Sequence, residues 1–297
     1  MLAERKLAEL LAPTQPWERR RIVNGLATVV ILACAVAAVL VLCLILGHVV
    51  VEGIGALNPD FFTQSPLPPG EVGGGVGPAV VGTLEMLAVA SVFGVPLGVA
   101  AAIFLAEFQQ GQSQLATLVS FTIDLIAGLP SIVIGVFVWA WLVRNVVGNY
   151  NGFAGGVSLA IIMIPIVART VQETLLLVPD ALREASLALG IPRWKTILHV
   201  VLPTASAGVI TAVVLSMARA GGETAPLLLT ALGNQFFNLD LFQPMAALPV
   251  QIYQYARSPY VDWHAKAWGA ALVLIALIAC LSAATRWAVG RRMRGFT

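Results

Sequence analysis

Six long apolar runs constrain this chain more than any other feature; they lie near residues 22–47, 79–106, 116–143, 153–172, 206–232 and 266–289. A bilayer core of about 30 Å takes roughly 20 apolar residues per helical crossing. In hydrocarbon an isolated segment satisfies its own backbone polar groups as a helix. Composition agrees, with 59% hydrophobic and 11% charged residues, against roughly 25% charged in an average soluble domain. The expectation is an all-α integral membrane protein with six spans.

The basic residues set the expected orientation, because Lys and Arg collect on the cytoplasmic side. An even number of spans puts both termini on one face. That face then holds thirteen basic residues: Arg5, Lys6, Arg19, Arg20, Arg21, Arg169, Arg183, Arg193, Lys195, Arg286, Arg291, Arg292 and Arg294. The other face holds Arg144, Arg257 and Lys266, and Arg219 falls deep inside a span. Both ends and the loop 173–205 are thus expected in the cytoplasm of a prokaryote. The net charge of +2 gives no reason to expect a nucleic-acid partner.

Several other readings fail on residue chemistry. The sequence around Cys34 loosely resembles a lipoprotein cleavage site, but the apolar run continues to Gly47, too long for a signal peptide. Cys34, Cys43 and Cys280 all lie in spans and show no metal or disulfide spacing. His48, His199 and His264 are in separate segments. The glycine-rich stretch at 70–77 has neither the Gly-Lys-Ser/Thr ending nor the preceding strand of a phosphate loop. No hydrolytic Gly-x-Ser-x-Gly elbow is present. These absences argue against an enzyme. Residues 1–15 suit a short surface helix or a solvated tail. The Phe, Tyr and Trp residues of 233–265 suit interfacial anchoring.

Residues 178–205, "VPDALREASLALGIPRWKTILHVVLPTA", read as a helix, a turn and a second helix. Asp180 is placed to cap the first helix, Leu182, Ala185 and Leu189 share one side of it, and Gly190 suits its left-handed C-terminal position. Pro192 restarts the chain into a helix reaching Pro203, with Arg183, Arg193 and Lys195 expected in solvent. The stretch resembles the EAA loop of ATP-binding-cassette importer permeases: Glu184, Ala185 and Ser186, three residues, Gly190, nine residues, then Val200 to Leu202 and Pro203. Ser186 replaces the second alanine and Val200 an isoleucine. The resemblance implies that this loop docks on a cytoplasmic ATPase, with Glu184 and Gly190 shaping the contact.

The stretch "LSMARAGGETAPLLL", residues 215–229, places charge where it is expensive. An arginine at mid-membrane costs about 2.5–3.5 kcal/mol on insertion scales and faces a bundle interior or a wet cavity. Arg219 and Glu223 are four apart and share a helix face, which Ser216 and Leu227 continue. Mutual pairing is one reading. Stability alone does not demand it, since replacing a buried pair by apolar residues is often neutral or stabilising. Gly221, Gly222 and Pro226 loosen the backbone beside the charges. Gly128, Pro130 and Ser131 repeat the device in the third span, where a restarted half-helix presents N–H groups to an anion. The expected path residues are Arg219, Glu223, Ser216, Thr224 and Ser131, with Glu85 and Asp124 as weaker candidates.

Residues 218–231, and "AGLPSIVIGVF" at 127–137, resemble the phosphate-specific (Pst-type) permeases, the A-type subunit more than the C-type. That resemblance implies a six-span type I ABC importer permease fold over 22–289, with the coupling loop at 173–205 flanked by cytoplasmic segments 1–21 and 290–297. It implies phosphate import by alternating access. The implied partners are a PstC-type permease, two PstB-type ATP-binding subunits, a PstS-type external phosphate-binding protein and membrane lipid. This chain would bind no cofactor, ATP and Mg belonging to the partner ATPase. A permease for sulfate or molybdate and an ion-coupled secondary transporter are the alternatives.

Overall fold

The computed structural model describes residues 17–71, 73–108 and 113–293, the side chains of Glu18 and 288–293 excepted. The short surface helix or solvated tail expected over 1–15 lies outside these residues. The chain divides into two units, one ending at Val51 and one beginning at Glu52. The first is essentially helix α1 (Trp17–Gly53), whose 37 residues rise roughly 55 Å, more than a bilayer core requires.

In the second unit the described elements are helical. They run α2 (Pro59–Thr63), α3 (Gly77–Glu107), α4 (Gln114–Gly128), α5 (Ser131–Val147), α6 (Gly152–Leu176), α7 (Asp180–Ala188) and α8 (Arg193–Thr204). Then come α9 (Ser206–Gly221), α10 (Ala225–Thr230), α11 (Leu248–Ala256) and α12 (Val261–Met293). The second half of α5, Trp139–Val147, is π-helical. Helix starts follow local chemistry: Asn58, Ser113 and Asn151 accept from the amides of Phe61, Ala116 and Ala154, capping α2, α4 and α6.

Among the described residues, four helical stretches are long and apolar enough to cross a membrane alone: Arg19–Ala56, Gly77–Glu107, Gly152–Leu176 and Val261–Trp287. Two bent pairs bring the number to six when each is counted as one crossing: α4 with α5 at 105°, and α8 with α9 at 73°. The third apolar run is thus not one straight span. It breaks at Leu129 and Pro130, where proline disfavours a helical residue before it and removes an amide donor. The fifth run, expected as continuous over 206–232, also divides. Its α9 has 16 residues and rises about 24 Å. The chain then unwinds over 222–224 and restarts as α10 with Pro226 in its first turn.

The core forms where α3 lies along α6. A Cβ on Gly94 or Gly98 of α3 would stand 3.0 Å from the Met163 Cβ or 2.7 Å from that of Val167. The sequence Gly94-Val-Pro-Leu-Gly98 thus serves as a small-residue stripe for close helix contact. Around this contact Met86, Leu87, Leu159, Met163, Ala220 and Leu227 are buried together. At the end away from α7, the N-terminus of α6 is tied down by backbone bonds. The amides of Asn151, Gly152 and Phe153 donate to the carbonyls of Thr230, Gln243 and Leu241.

Candidate substrate path and coupling loop

The two helix breaks face one cavity. Its volume is about 130 Å³, and its wall includes Ile126 and Ala127 of α4, Ser131 of α5, Pro165 and Ile166 of α6, and Arg219 with Glu223. Three other segments, α4, α5 and α6, therefore converge on the pair that the sequence singles out. Ser131 opens α5 directly after the bend, so the positive end of that helix dipole is turned to the same space.

Arg219 and Glu223 pair, but unequally. Arg219 Nη1 lies 2.9 Å from Glu223 Oε1, with the arginine side chain 63% exposed and the glutamate 7%. The approach lacks hydrogen-bond alignment, and Oε1 is buried without a hydrogen-bond partner. A buried carboxylate oxygen with unused acceptor capacity is costly. It is also a ready acceptor for an O–H brought into the cavity. Arg219 offers further donors in a fork that matches a tetrahedral oxyanion. The arrangement can hold an anion by its oxygens while accepting a hydrogen bond from an O–H that the anion carries.

The remaining expected path residues separate from this pair. Ser216 is fully buried and donates to the carbonyl of Val213. Thr224 sits in the unwound stretch at the start of α10 and caps nothing with its side chain. Neither lines the cavity. Leu227, expected to extend the charged face, lies in the core instead, because the unwinding at 222–224 changes the helical phase. Of the helix-break residues, Gly221 is buried facing Ile278, where a Cβ would stand at 3.3 Å. Gly222 and Pro130 are exposed, and Pro226 is buried.

The weaker carboxylate candidates also differ. Asp124 is bound to Arg169, at 2.6 Å, and Arg169 further donates to Ser120 and Gln172. Arg169, counted on the cytoplasmic face, lies within α6. Glu85 on α3 has its Oε2 buried without a hydrogen bond and does not line the cavity. The wall contributed by Pro165 and Ile166 went unread in the sequence, although Pro165 within an apolar run was a visible signal.

The loop 178–205 is a helix, a turn and a helix, as read. Gly190 takes φ +74°, the left-handed conformation that ends α7. Pro179, not Asp180, precedes the first helical residue, and no side chain caps the helix. The Asp180 carboxylate instead accepts from Arg183. Glu184, Ala185, Leu182 and Leu189 are exposed, leaving an uncovered face on α7. Ser186 is turned inward, its Oγ 2.9 Å from Thr196 Oγ1 on α8, so a hydroxyl pair fastens the two helices. Leu202 and Pro203 lie in the last turn of α8, before the bend at Ala205.

Arg183 corrects the expectation of a solvent-facing side chain. It is 17% exposed and binds Glu107, which is 8% exposed, at 2.7 Å. It also donates to the carbonyls of Leu175 and Val178. Hydrogen bonding to Glu107 raises the Arg183 pKa above its ordinary value against the opposing effect of burial.

Broken apolar helices around a charged cavity, with a structured loop at one end, define a multi-pass membrane transport subunit. The chain belongs to the family described as "Binding-protein-dependent transport system inner membrane component", which it matches over residues 94–295. It is an inner-membrane transport component. It is 41% identical over 91% of its length, and 93% of the relative's, to the phosphate transport system permease protein PstA of Xylella fastidiosa. The Yersinia pestis PstA is 39% identical over 94% of each chain, and PstA 1 of Mycobacterium tuberculosis 39% over 93% and 91%. Among solved structures, the inward-facing MetNI methionine ABC transporter matches with TM-score 0.58 and 25% identity, over 74% of this chain and 94% of that one. A bacterial ABC transporter importing alginate shares the fold at TM-score 0.55 and 12% identity, over 93% and 99%.

Proposed function

We propose that this chain is the A-type permease subunit of an ATP-driven phosphate importer. It pairs with a second, C-type permease, two cytoplasmic ATPase subunits that bind ATP and Mg, and an external phosphate-binding protein. Both termini and the loop 173–205 face the cytoplasm. The observation that carries the reading is the cavity in which Arg219 stands beside the buried, under-satisfied Glu223 Oε1. The arginine attracts the anion. The glutamate accepts a hydrogen bond from the O–H of hydrogen phosphate, which fully ionised sulfate lacks. The similarity to PstA proteins over nearly the whole chain supports the same substrate.

Movement reaches the pair through short rigid links. The exposed face of α7 receives the ATPase, Ser186 and Thr196 pass its displacement to α8, and the 73° bend joins α8 to the helix that carries Arg219. Rotation of α9 exposes the cavity alternately to the two sides. The test is purification of the assembled complex with its binding protein, followed by anion-stimulated ATP hydrolysis. Phosphate is expected to stimulate and sulfate not. Equal stimulation, or recovery of the chain without an ATPase subunit, would overturn the reading.

A further inference from the structure

The link through α8 leaves part of the cavity wall unattended. Pro165 and Ile166 belong to α6, which α8 does not continue. The ion pair between Arg183 and Glu107 supplies a second connection. Glu107 is the last residue of α3 and Arg183 lies in the middle of α7, 76 residues away in sequence. Nε and Nη2 of Arg183 both reach the Glu107 carboxylate, at 3.1 and 2.7 Å. Nη2 also donates to the Leu175 carbonyl at 2.8 Å, in the last turn of α6, and Nη1 to that of Val178 just beyond it. One guanidinium thus holds the ends of α3 and α6 to the helix whose outer face is uncovered. The planar fork of arginine serves several acceptors at fixed angles, which a lysine does not.

We infer that Glu107 and Arg183 are positioning residues for transport: their buried pair clamps α7 to α3 and α6, so that ATP-driven displacement of α7 moves the Pro165 and Ile166 wall together with α9. The inference rests on the proposed docking of the ATPase at α7. A displacement of α7 that reached α9 alone would shift Arg219 against a stationary wall and spend ATP without opening the cavity. Asp180, the second carboxylate on Arg183, is 89% exposed and contributes little to the clamp.

The experiment uses the full complex with its binding protein in proteoliposomes. It measures ATPase subunit recovered, ATP hydrolysed and phosphate moved per ATP for Glu107→Gln, with Glu107→Asp as the conservative variant and Asp180→Asn as control. Glu107→Gln is expected to retain the ATPase and hydrolyse ATP while phosphate moved per ATP falls about tenfold, within the usual range of coupling between sites. Glu107→Asp should recover part of the ratio, and Asp180→Asn all of it. An unchanged ratio in an assembled Glu107→Gln complex overturns the clamp, whereas loss of the ATPase subunit from the unsubstituted complex overturns the docking reading instead. If Glu107→Gln does not assemble, spin labels at Leu97 of α3 and Ala181 of α7 read the same question in a complex that keeps Glu107 and Arg183. Their separation should stay constant between nucleotide-free and ATP-bound states, and a change of more than about 3 Å would show that the two helices move independently.

Discussion

Gly135 and Pro226 bring the two restarted half-helices into backbone contact: a Cβ on Gly135 of α5 would lie 2.7 Å from the Cα of Pro226 in α10. Backbone cannot move aside as a flexible side chain does. Gly135→Ala should therefore cost about 1–3 kcal/mol, the usual range for overpacking, and lower the melting temperature of the purified complex. Gly128→Ala, at a position with nothing within 4 Å of the new atom, should be close to neutral. Equal melting temperatures for the two variants would show that the α5 to α10 contact is not tight.

Arg219 and Glu223 divide their work in the proposed transport. Arg219→Lys keeps the charge but loses the fork, and uptake should fall about tenfold or more. Glu223→Gln keeps the shape but turns an acceptor-only group into a partial donor. The preference for phosphate over sulfate should narrow by at least about tenfold, because discrimination through a buried hydrogen bond exceeds that through shape. Competition uptake assays with both anions give the ratio, and an unaltered preference would remove Glu223 from the selecting role.

At Gly190 the backbone φ of +74° disfavours any residue with a Cβ, although the space around it is open. Gly190→Val should cost about 1–2 kcal/mol through conformation alone and tilt α7 relative to α8. Co-purification of the ATPase subunit should drop accordingly, while Gly190→Asn, which tolerates this conformation better, should retain more of it. Identical recovery for the two variants would separate docking from the geometry of the turn.

Asp124→Asn tests the other arginine pair. With its carboxylate 61% exposed, the loss should fall within about 0–1 kcal/mol, far less than for a buried pair. A thermal shift as large as that of Glu107→Gln would mean that Asp124 is covered in the assembled complex.

Much of this architecture was legible because lipid leaves few options. The apolar runs gave the helices, the Gly190 and Pro192 punctuation gave the α7 turn, and the spacing of Arg219 and Glu223 gave their pairing. The 105° bend was different: Gly128 and Pro130 announced a break, but its angle depends on how α5 packs against α10. Arg183 was read as solvent-facing because its acceptor, Glu107, stands 76 residues earlier and no local pattern points to it. The pairing of Asp124 with Arg169 spans 45 residues and was hidden for the same reason. Leu227 was placed on the charged face by assuming one continuous helix, an assumption that the unwinding at 222–224 removes.

The short reach of α9 has an electrical consequence. In the proposed topology, where α9 enters from the cytoplasmic side, a helix rising about 24 Å inside a core of about 30 Å keeps its final turn, and with it Arg219, within the transmembrane field. While Arg219 faces Glu223 the pair is neutral and feels little of that field. Once a doubly charged phosphate occupies the arginine, the same turn carries net negative charge, and each elementary charge crossing 100 mV is worth about 2.3 kcal/mol. In the proposed import, inward movement of the loaded site is opposed by an inside-negative membrane, and part of the energy of ATP hydrolysis goes into work against voltage. Turnover should slow as the membrane is hyperpolarised, even at saturating phosphate.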